Sequence, residues 1–292
     1  MSKIKEYLFI SDFHKLFKGD GLSQNVMDSF RKIIYEFYRT HKRDFPFREN
    51  ITPFKVLVSE IMLQQTQTGR VSEKFLKFIE KFPDFKSLSK ASVEEVLREW
   101  KGLGYNRRAI ALKNIAESVV NNYNGALPDS LDILKSFPQI GHNTASSIIT
   151  FAFNKPTLFI ETNIRRVYIY FFFNDIYSVN DKDILPILEK TIDRRNPRNW
   201  YYALMDYGVM LKKHHPELNK KSAHYRKQAP FNGSTRQIRG KLLEILLENE
   251  SLTFSEILQK LDKAKQKVIK RIIFQLKKEG FIEINEDKIK LT

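Results

Sequence analysis

The chain has 292 residues, room for one large domain or two of ordinary size, and its 42% apolar and 13% aromatic content is ample for a packed core, which excludes extensive disorder. Lys and Arg number 50 against 34 Asp and Glu, and a formal charge of +16 points to a polyanionic partner, nucleic acid first. Cysteine is absent, which excludes disulfides, zinc–thiolate sites, cysteine-ligated iron–sulfur clusters and a thiol nucleophile. No apolar stretch with a small-residue cleavage site follows Met1–Lys5, and the greasiest run, Val167–Phe173, is far shorter than the roughly 20 residues a bilayer helix needs. A soluble, cytoplasmic protein without a membrane partner is expected, nucleoid-associated if the source is prokaryotic.

Residues 24–230 read as almost wholly helical. Met27, Phe30, Ile33, Ile34, Phe37 and Tyr38 recur at helical spacing over 27–41. Pro46 and Pro53 bracket a loop, and Pro53 is suited to the first turn of a helix carrying Phe54, Leu57, Val58 and Ile61. Further helices fit 71–81, 92–99, 106–121, 129–136, 143–153, 162–172 and 183–193, with breaks at Pro83, Gly102–Gly104, Gly125, Pro138, Gly141 and Pro156. No alternating strands precede residue 230, and no repeat of 20–50 residues is present.

Segment 212–235 changes character: Lys212, Lys213, Lys220, Lys221, Arg226 and Lys227 stand against Glu217 alone, with few aliphatics. It reads as an extended connection over the surface, facing DNA. Beyond it, Ile238, Leu242, Ile245 and Leu246 make one helix, about 255–261 a second, and Val268, Ile269, Ile272, Ile273 and Leu276 a third that ends at Gly280. Phe281–Leu291 alternates as a hairpin turning near Glu286 and Asp287. Three helices and a hairpin make a winged-helix-like unit. Lys263, Lys265, Lys267, Lys270, Arg271, Lys277 and Lys278 surround its third helix, either as a groove-binding helix or as the solvated face of an interaction domain.

Three segments carry candidate chemistry. Leu134–Ala145 ends one helix, turns through Pro138 and Gly141, and starts another near Asn143; such a turn is either an ordinary helical corner or a cradle of amides for a phosphate. Glu161, in Phe159–Val167, stands at a helix entrance, where the helix dipole should keep it ionised. Ser59–Gln67 sets Glu60 and Gln64 one turn apart beside an apolar stripe. A carboxyl there can hold a proton near neutral pH, as a general acid must, and the polar residues after it can bond to bases.

In this order and spacing the segments resemble the helix–hairpin–helix superfamily of DNA glycosylases, specifically its MutY-type adenine glycosylases. The resemblance is carried by Phe45-Pro46-Phe47-Arg48, by Ser59-Glu-Ile-Met-Leu-Gln-Gln-Thr-Gln67, by Trp100-Lys-Gly-Leu-Gly-Tyr105 with Arg107 and Arg108, by Phe137–Ala145, and by Ala203-Leu-Met-Asp-Tyr-Gly208, across roughly residues 27–212. It implies a mainly α, two-lobed fold. A glycosylase domain would span 1–230, with lobe one at 51–155 and lobe two at 23–50 plus 156–230, followed by a winged-helix-like DNA-binding domain at 234–292. It implies a monofunctional glycosylase of base excision repair that flips a mispaired base out of duplex DNA. Glu60 would protonate the departing purine, Glu161 would stabilise the positive sugar, and Asn163 would support that site. Gln65 would wedge into the gap, with Gln64, Gln67, Tyr105, Arg107, Gln139, Gly141, His142, Asn143 and Thr144 on DNA and Arg48 and Tyr202 at the base pocket. Asn143 stands where lyase relatives keep a Schiff-base lysine, so no strand cleavage is implied.

The chain also departs from that pattern. The four-cysteine iron–sulfur loop is missing, and no metal is expected apart from a monovalent cation at hairpin carbonyls near 136–141. Glu161 replaces aspartate, Tyr202 replaces Glu or Gln, and the domain that inspects 8-oxoguanine is replaced by the winged helix. The expected substrate is adenine opposite 8-oxoguanine or guanine, handled by a monomer. The alternatives are another base (uracil, thymine opposite G, hypoxanthine) or a non-catalytic binder of DNA lesions.

Overall fold

Val26, Phe30, Ile34 and Phe37, three or four residues apart, are all buried and turn one side of a long helix into the start of a core. The computed structural model describes residues 10–226, 230–261 and 265–292. Lys227 and Lys263, counted above, and the extreme N-terminus lie outside the described residues. The chain forms two compact units, Met1–Ile51 with Asp129–Leu131 and Ile140–Lys227, and Thr52–Pro128 with Asp132–Gln139 and Gln228–Thr292.

Unit one contains α1 (Ser11–Asp20) and α2 (Gln24–His41), the latter capped by the Ser23 hydroxyl accepting from the Val26 amide. A 3₁₀ turn follows at Pro46–Arg48. The chain returns as α9 (His142–Phe153), α10 (Thr162–Phe172), α11 (Asp181–Thr191) and α12 (Pro197–His214). The core is aromatic. Phe30 meets Phe171, Phe172, Tyr168 and Trp200 with ring centroids 4.9–5.6 Å apart, mostly edge to face. Such pairs add to the gain from burying each ring. Helix α10 lies chiefly against α12.

Unit two contains α3 (Pro53–Leu63), α4 (Thr68–Lys81), α5 (Phe85–Lys90), α6 (Val93–Trp100), α7 (Arg107–Asn122) and α8 (Leu131–Ser136). Its starts are well marked: Thr52 caps α3 with Pro53 in the first turn, and Asp84 and Ser92 form capping boxes with Ser87 and Glu95. Buried Leu57, Ile61, Phe75, Phe78 and Trp100 fill its interior. The same unit holds α13 (Thr235–Leu247), β1 (Leu252–Thr253), α14 (Phe254–Lys260), α15 (Gln266–Lys278), β2 (Ile282–Asn285) and β3 (Lys288–Leu291). The three strands are antiparallel in the order β1-β3-β2, with Ile284 opposite Ile289 and Leu252 also opposite Ile289, a winged-helix arrangement.

Most sequence-derived helices agree with the structure to within one to three residues, and 162–172 is reproduced as read. Two short helices, α1 and α5, were not expected. The segment after α12 needs a larger correction. It is not simply an extended surface connection: Pro216–Lys221 is a 3₁₀ turn, Leu218 is buried, and the Val179 amide donates to the Lys221 carbonyl while that of Ala223 donates to Val179. One buried leucine and two backbone hydrogen bonds hold this basic stretch to unit one. Among the described residues, no helix is long and apolar enough to cross a membrane.

Leu218→Ala should lower the stability of unit one by about 2–5 kcal/mol, the range for an aliphatic side chain removed from a well-packed site. Urea unfolding followed by tryptophan fluorescence tests this, and a change within error would mean that the segment is only draped over the surface.

Candidate active site

In unit one the chemistry gathers at the start of α10. Glu161 is the N-cap, and its Oε1 accepts from the Asn163 and Ile164 amides at 2.8 and 3.0 Å. Its Oε2 accepts from the Asn163 side-chain amide at 3.1 Å. Asn163 is fixed in turn by Arg166, a buried guanidinium that donates to Asn163 Oδ1 at 2.8 Å, the Gly208 carbonyl at 2.6 Å and Asn219 Oδ1 at 2.9 Å. Asn219 belongs to the 3₁₀ turn at Pro216–Lys221.

Burial raises the Glu161 pKa above its ordinary value, opposed by the two amides, by Arg166 and by the Asn163 side chain. Desolvation outweighs the donors in the direction of the shift, while the helix start and Arg166 still favour the anion. Asn143, at the lysine position of lyase relatives, donates its side-chain amide to the Ile160 carbonyl at 2.9 Å, one residue before Glu161.

Gly208 of α12 makes this packing possible. A Cβ there would lie 2.4 Å from the Asn163 carbonyl oxygen and 2.7 Å from the Asn163 Cβ, so any larger residue must push the first turn of α10 away. Two residues earlier, Asp206 is buried and takes Arg43 and Arg48 together, the Arg48 guanidinium donating to both carboxylate oxygens at 3.0 Å. Arg48 also lies 4.3 Å over the Tyr202 ring, which stacks on Phe151. The structure therefore brings the two residues assigned to the base pocket into contact, with Arg48 committed to Asp206.

In unit two, Glu60 sits half-buried on α3 and Gln64 is its C-cap. The Gln64 side-chain amide donates to the Gln139 carbonyl at 3.1 Å, tying this segment to the turn before α9. Gln65 is exposed with φ +54°, and Tyr105 and Gln139 also have positive φ, a conformation non-glycine residues adopt at some cost. Gln67 is exposed at the start of α4. Gly141 is the N-cap of α9, and His142, Asn143 and Thr144 form its first turn, where backbone amides have no acceptor within the helix.

Arg108 was not among the sequence-derived site residues. It is buried, and its guanidinium donates to the carbonyls of Ile61, Met62, Gln64, Leu103 and Gly104 and to the Thr66 hydroxyl. It thus finishes α3 and binds the 64–66 and 103–104 turns to each other. Burial brings its pKa down to about 10, which leaves it charged at neutral pH. Its neighbour Arg107 is half exposed and bound to Glu279. Among the described residues there is no group of three or more His, Asp or Glu placed to hold a metal. An iron–sulfur cluster does not fit the chain, which offers no thiolate.

Comparison with known proteins accords with this geometry. The family model described as HhH-GPD superfamily base excision DNA repair protein matches residues 58–186. The adenine DNA glycosylase of Mycolicibacterium smegmatis is 31% identical over 235 residues, covering 74% of this chain and 80% of that enzyme. That of Buchnera aphidicola subsp. Baizongia pistaciae is 32% identical over 186 residues, 62% of this chain but only 52% of the relative, so the match spans about half of that enzyme's length. A solved thermostable thymine-DNA glycosylase superposes with a TM-score of 0.57 at 26% identity, covering 68% of this chain and 97% of its own.

The chain belongs to the helix–hairpin–helix superfamily of base excision DNA repair proteins, and its activity class is that of a DNA N-glycosylase. Within the superfamily its motifs and relatives make it MutY-type.

Gly208→Ala should cost about 1–3 kcal/mol through overpacking against Asn163 and should slow base release more than it lowers DNA affinity. Thermal unfolding and single-turnover rates together check this; a variant with wild-type values in both would mean that α10 and α12 can part at no cost.

Proposed function

We propose that the protein is a monofunctional DNA glycosylase that removes adenine from a mismatched or damaged pair, opposite 8-oxoguanine or guanine. The observation that carries the reading is the Glu161 carboxylate, immobilised by three N–H donors and backed by Arg166. A fixed anion can stabilise a sugar as it becomes positive without having to reorganise. In this reading Glu60 donates a proton to the purine ring, the N-glycosidic bond breaks with its electron pair leaving on the base, and water adds to the anomeric carbon, its surplus proton passing to solvent as Glu60 is reprotonated. Free adenine and an abasic site result. The division of labour is that of paired carboxyls in glycoside hydrolysis, one protonated and one charged. The Asn143 amide has no nucleophilic lone pair with which to form an imine, and its bond to the Ile160 carbonyl supports base removal without strand cleavage.

The rest of the reading follows the same logic. Gln65, exposed with its backbone held left-handed, serves as the wedge beside Gln64, Gln67 and Tyr105. Gly141, His142, Asn143 and Thr144 present amides to a phosphate. The glycosylase domain spans 1–230, and the winged-helix-like domain at 234–292 adds phosphate contacts through Lys267, Lys270, Arg271, Lys277 and Lys278 on α15. The enzyme acts as a cytoplasmic monomer on double-stranded DNA.

A second reading keeps the mechanism and changes the base to thymine or uracil. It is favoured by the 97% coverage of the thymine-DNA glycosylase and by an aromatic residue, Tyr202, at the pocket position. The Glu60 segment favours a purine, because departure of a pyrimidine needs no N7 protonation.

Labelled duplexes with A opposite 8-oxoguanine, A opposite G, U opposite G, T opposite G and hypoxanthine opposite T, treated with alkali after incubation, decide between the readings. Scission only after alkali and only at adenine is expected; scission at T or U would move the assignment to the second reading. Glu60→Gln should reduce base release by about 10²–10⁴-fold with little change in duplex affinity, and equal activity would remove Glu60 from the acid role.

The pH profile gives a further check. Glu161 works as an anion and its pKa is raised, so the rate should climb as pH rises through that elevated value. The acidic limb should lie above 4.5, the ordinary glutamate value. A limb at or below it would contradict the role given to Glu161.

A further inference from the structure

The C-terminal winged-helix unit is joined to the 101–107 turn by a set of charged contacts that the glycosylase reading does not use. Glu279, just after α15, accepts from Arg107 through both oxygens, at 2.9 Å from Nε and 2.6 Å from Nη2. The same carboxylate accepts from Arg239 of α13 at 2.6 Å, and the Arg239 guanidinium lies 4.8 Å over the Phe281 ring. Arg236, one turn earlier on α13, donates to the Tyr105 hydroxyl at 3.1 Å. On the other side of the turn, Lys101 pairs with Glu244 at 2.8 Å and Glu248 at 3.5 Å. The Glu94 amide donates to the carbonyl of Thr292.

These contacts converge on a short stretch of unusual backbone. Gly102, Gly104 and Tyr105 all have positive φ, and Arg108 holds the Leu103 and Gly104 carbonyls from beneath. Arg108 therefore fixes the inner side of the turn and leaves its exposed members, Lys101, Tyr105 and Arg107, to be held from outside. Each of those three is paired with a residue of the C-terminal unit. Glu279 and Arg239 are about one-fifth exposed or less, so that ion pair is partly desolvated and less screened by salt than a surface pair.

We infer that the C-terminal unit is a positioning element for DNA reading: Arg236 and Glu279 orient Tyr105 and Arg107, so that the unit sets how tightly a duplex is engaged by the 101–107 turn. This rests on the proposal that Tyr105 contacts DNA. It also assigns Arg107 to the Glu279 contact in place of a phosphate. The basic last turn of α15, Lys277 and Lys278, ends one residue before Glu279, so the charged face of α15 and the Tyr105 turn are anchored at one place. Arg236 and Glu279 are positioning residues, acting through Tyr105 and Arg107 and not on the reacting atoms.

The test is a double-mutant cycle in the full chain, with single-turnover base release measured against protein concentration on the best duplex of the panel above. Arg236→Ala and Tyr105→Phe should each raise the half-saturating concentration about three- to tenfold, the effect of losing one charge-assisted hydrogen bond. The double variant should be no worse than either single, because both remove the same contact. Arg236→Ala should leave the saturating rate and the melting temperature unchanged, and Arg236→Lys should recover most of the loss. Glu279→Gln and Arg107→Gln should form a second non-additive pair.

Multiplicative effects in the double variants would overturn the inference, as would a saturating rate that falls with the half-saturating concentration unchanged. If Tyr105→Ala weakens engagement while Arg236→Ala does not, the inference fails and the role of Tyr105 in DNA binding stands. If Tyr105→Ala also leaves engagement unchanged, both fail, and base release at saturation still reports on Glu60 and Glu161.

Discussion

A guanidinium removed from water needs acceptors for its N–H donors, and in each unit one buried arginine gathers several segments through its two terminal nitrogens, its Nε alone being left without a partner. In unit two, Arg108 draws five carbonyls and a hydroxyl from two turns and the end of a helix. Those groups come from the segments that carry Gln64, Gln65 and Tyr105, so the loops proposed to meet DNA owe their shape to a residue that never reaches it. Replacing such an ion by a neutral side chain strands several carbonyls at once, a loss much greater than that of an exposed ion pair.

Arg166 does the equivalent in unit one, with a different output. It gathers Asn163, Gly208 and Asn219, three residues from three segments, and through Asn163 it sets the second oxygen of Glu161. The Glu161 carboxyl is thereby caught between opposing influences. Burial favours its neutral form, while the amides and the nearby guanidinium favour the anion. A glutamate in place of aspartate lies one methylene further from its backbone, and here the extra reach is absorbed by folding the side chain back onto its own helix start.

How much of this was legible in the sequence depended on whether a signal was local. The span of α10 was read from residues 162–172 because Ile164, Val167, Tyr168, Phe171 and Phe172 repeat with helical period and all become buried. The roles expected of Glu60, Asn143 and Glu161 came from the resemblance to a known family, because each segment taken alone also reads as a surface carboxylate, an ordinary helical corner or a plain cap. Arg108 was not singled out, since nothing in Arg107-Arg108 says which of the two turns inward; helical phase and the Leu103–Gly104 turn decide it. The 3₁₀ turn at Pro216–Lys221 was hidden by its lysines, for one leucine among polar neighbours gives no periodicity. Asn219 acquired its place only through Arg166, whose own burial depends on Gly208, a long-range relation that no window of sequence displays.

The order in which the two units are threaded has a consequence for synthesis. Phe30 reaches its neighbours Phe171 and Trp200 only after the intervening residues of unit two have been made, and unit two draws on residues from both sides of that return, the Thr292 carbonyl accepting from the Glu94 amide. During translation the aromatic face of the helix that carries Phe30 therefore emerges well before its partners at 171 and 200. Contacts of such long sequence separation form slowly and leave apolar faces open to association until they do.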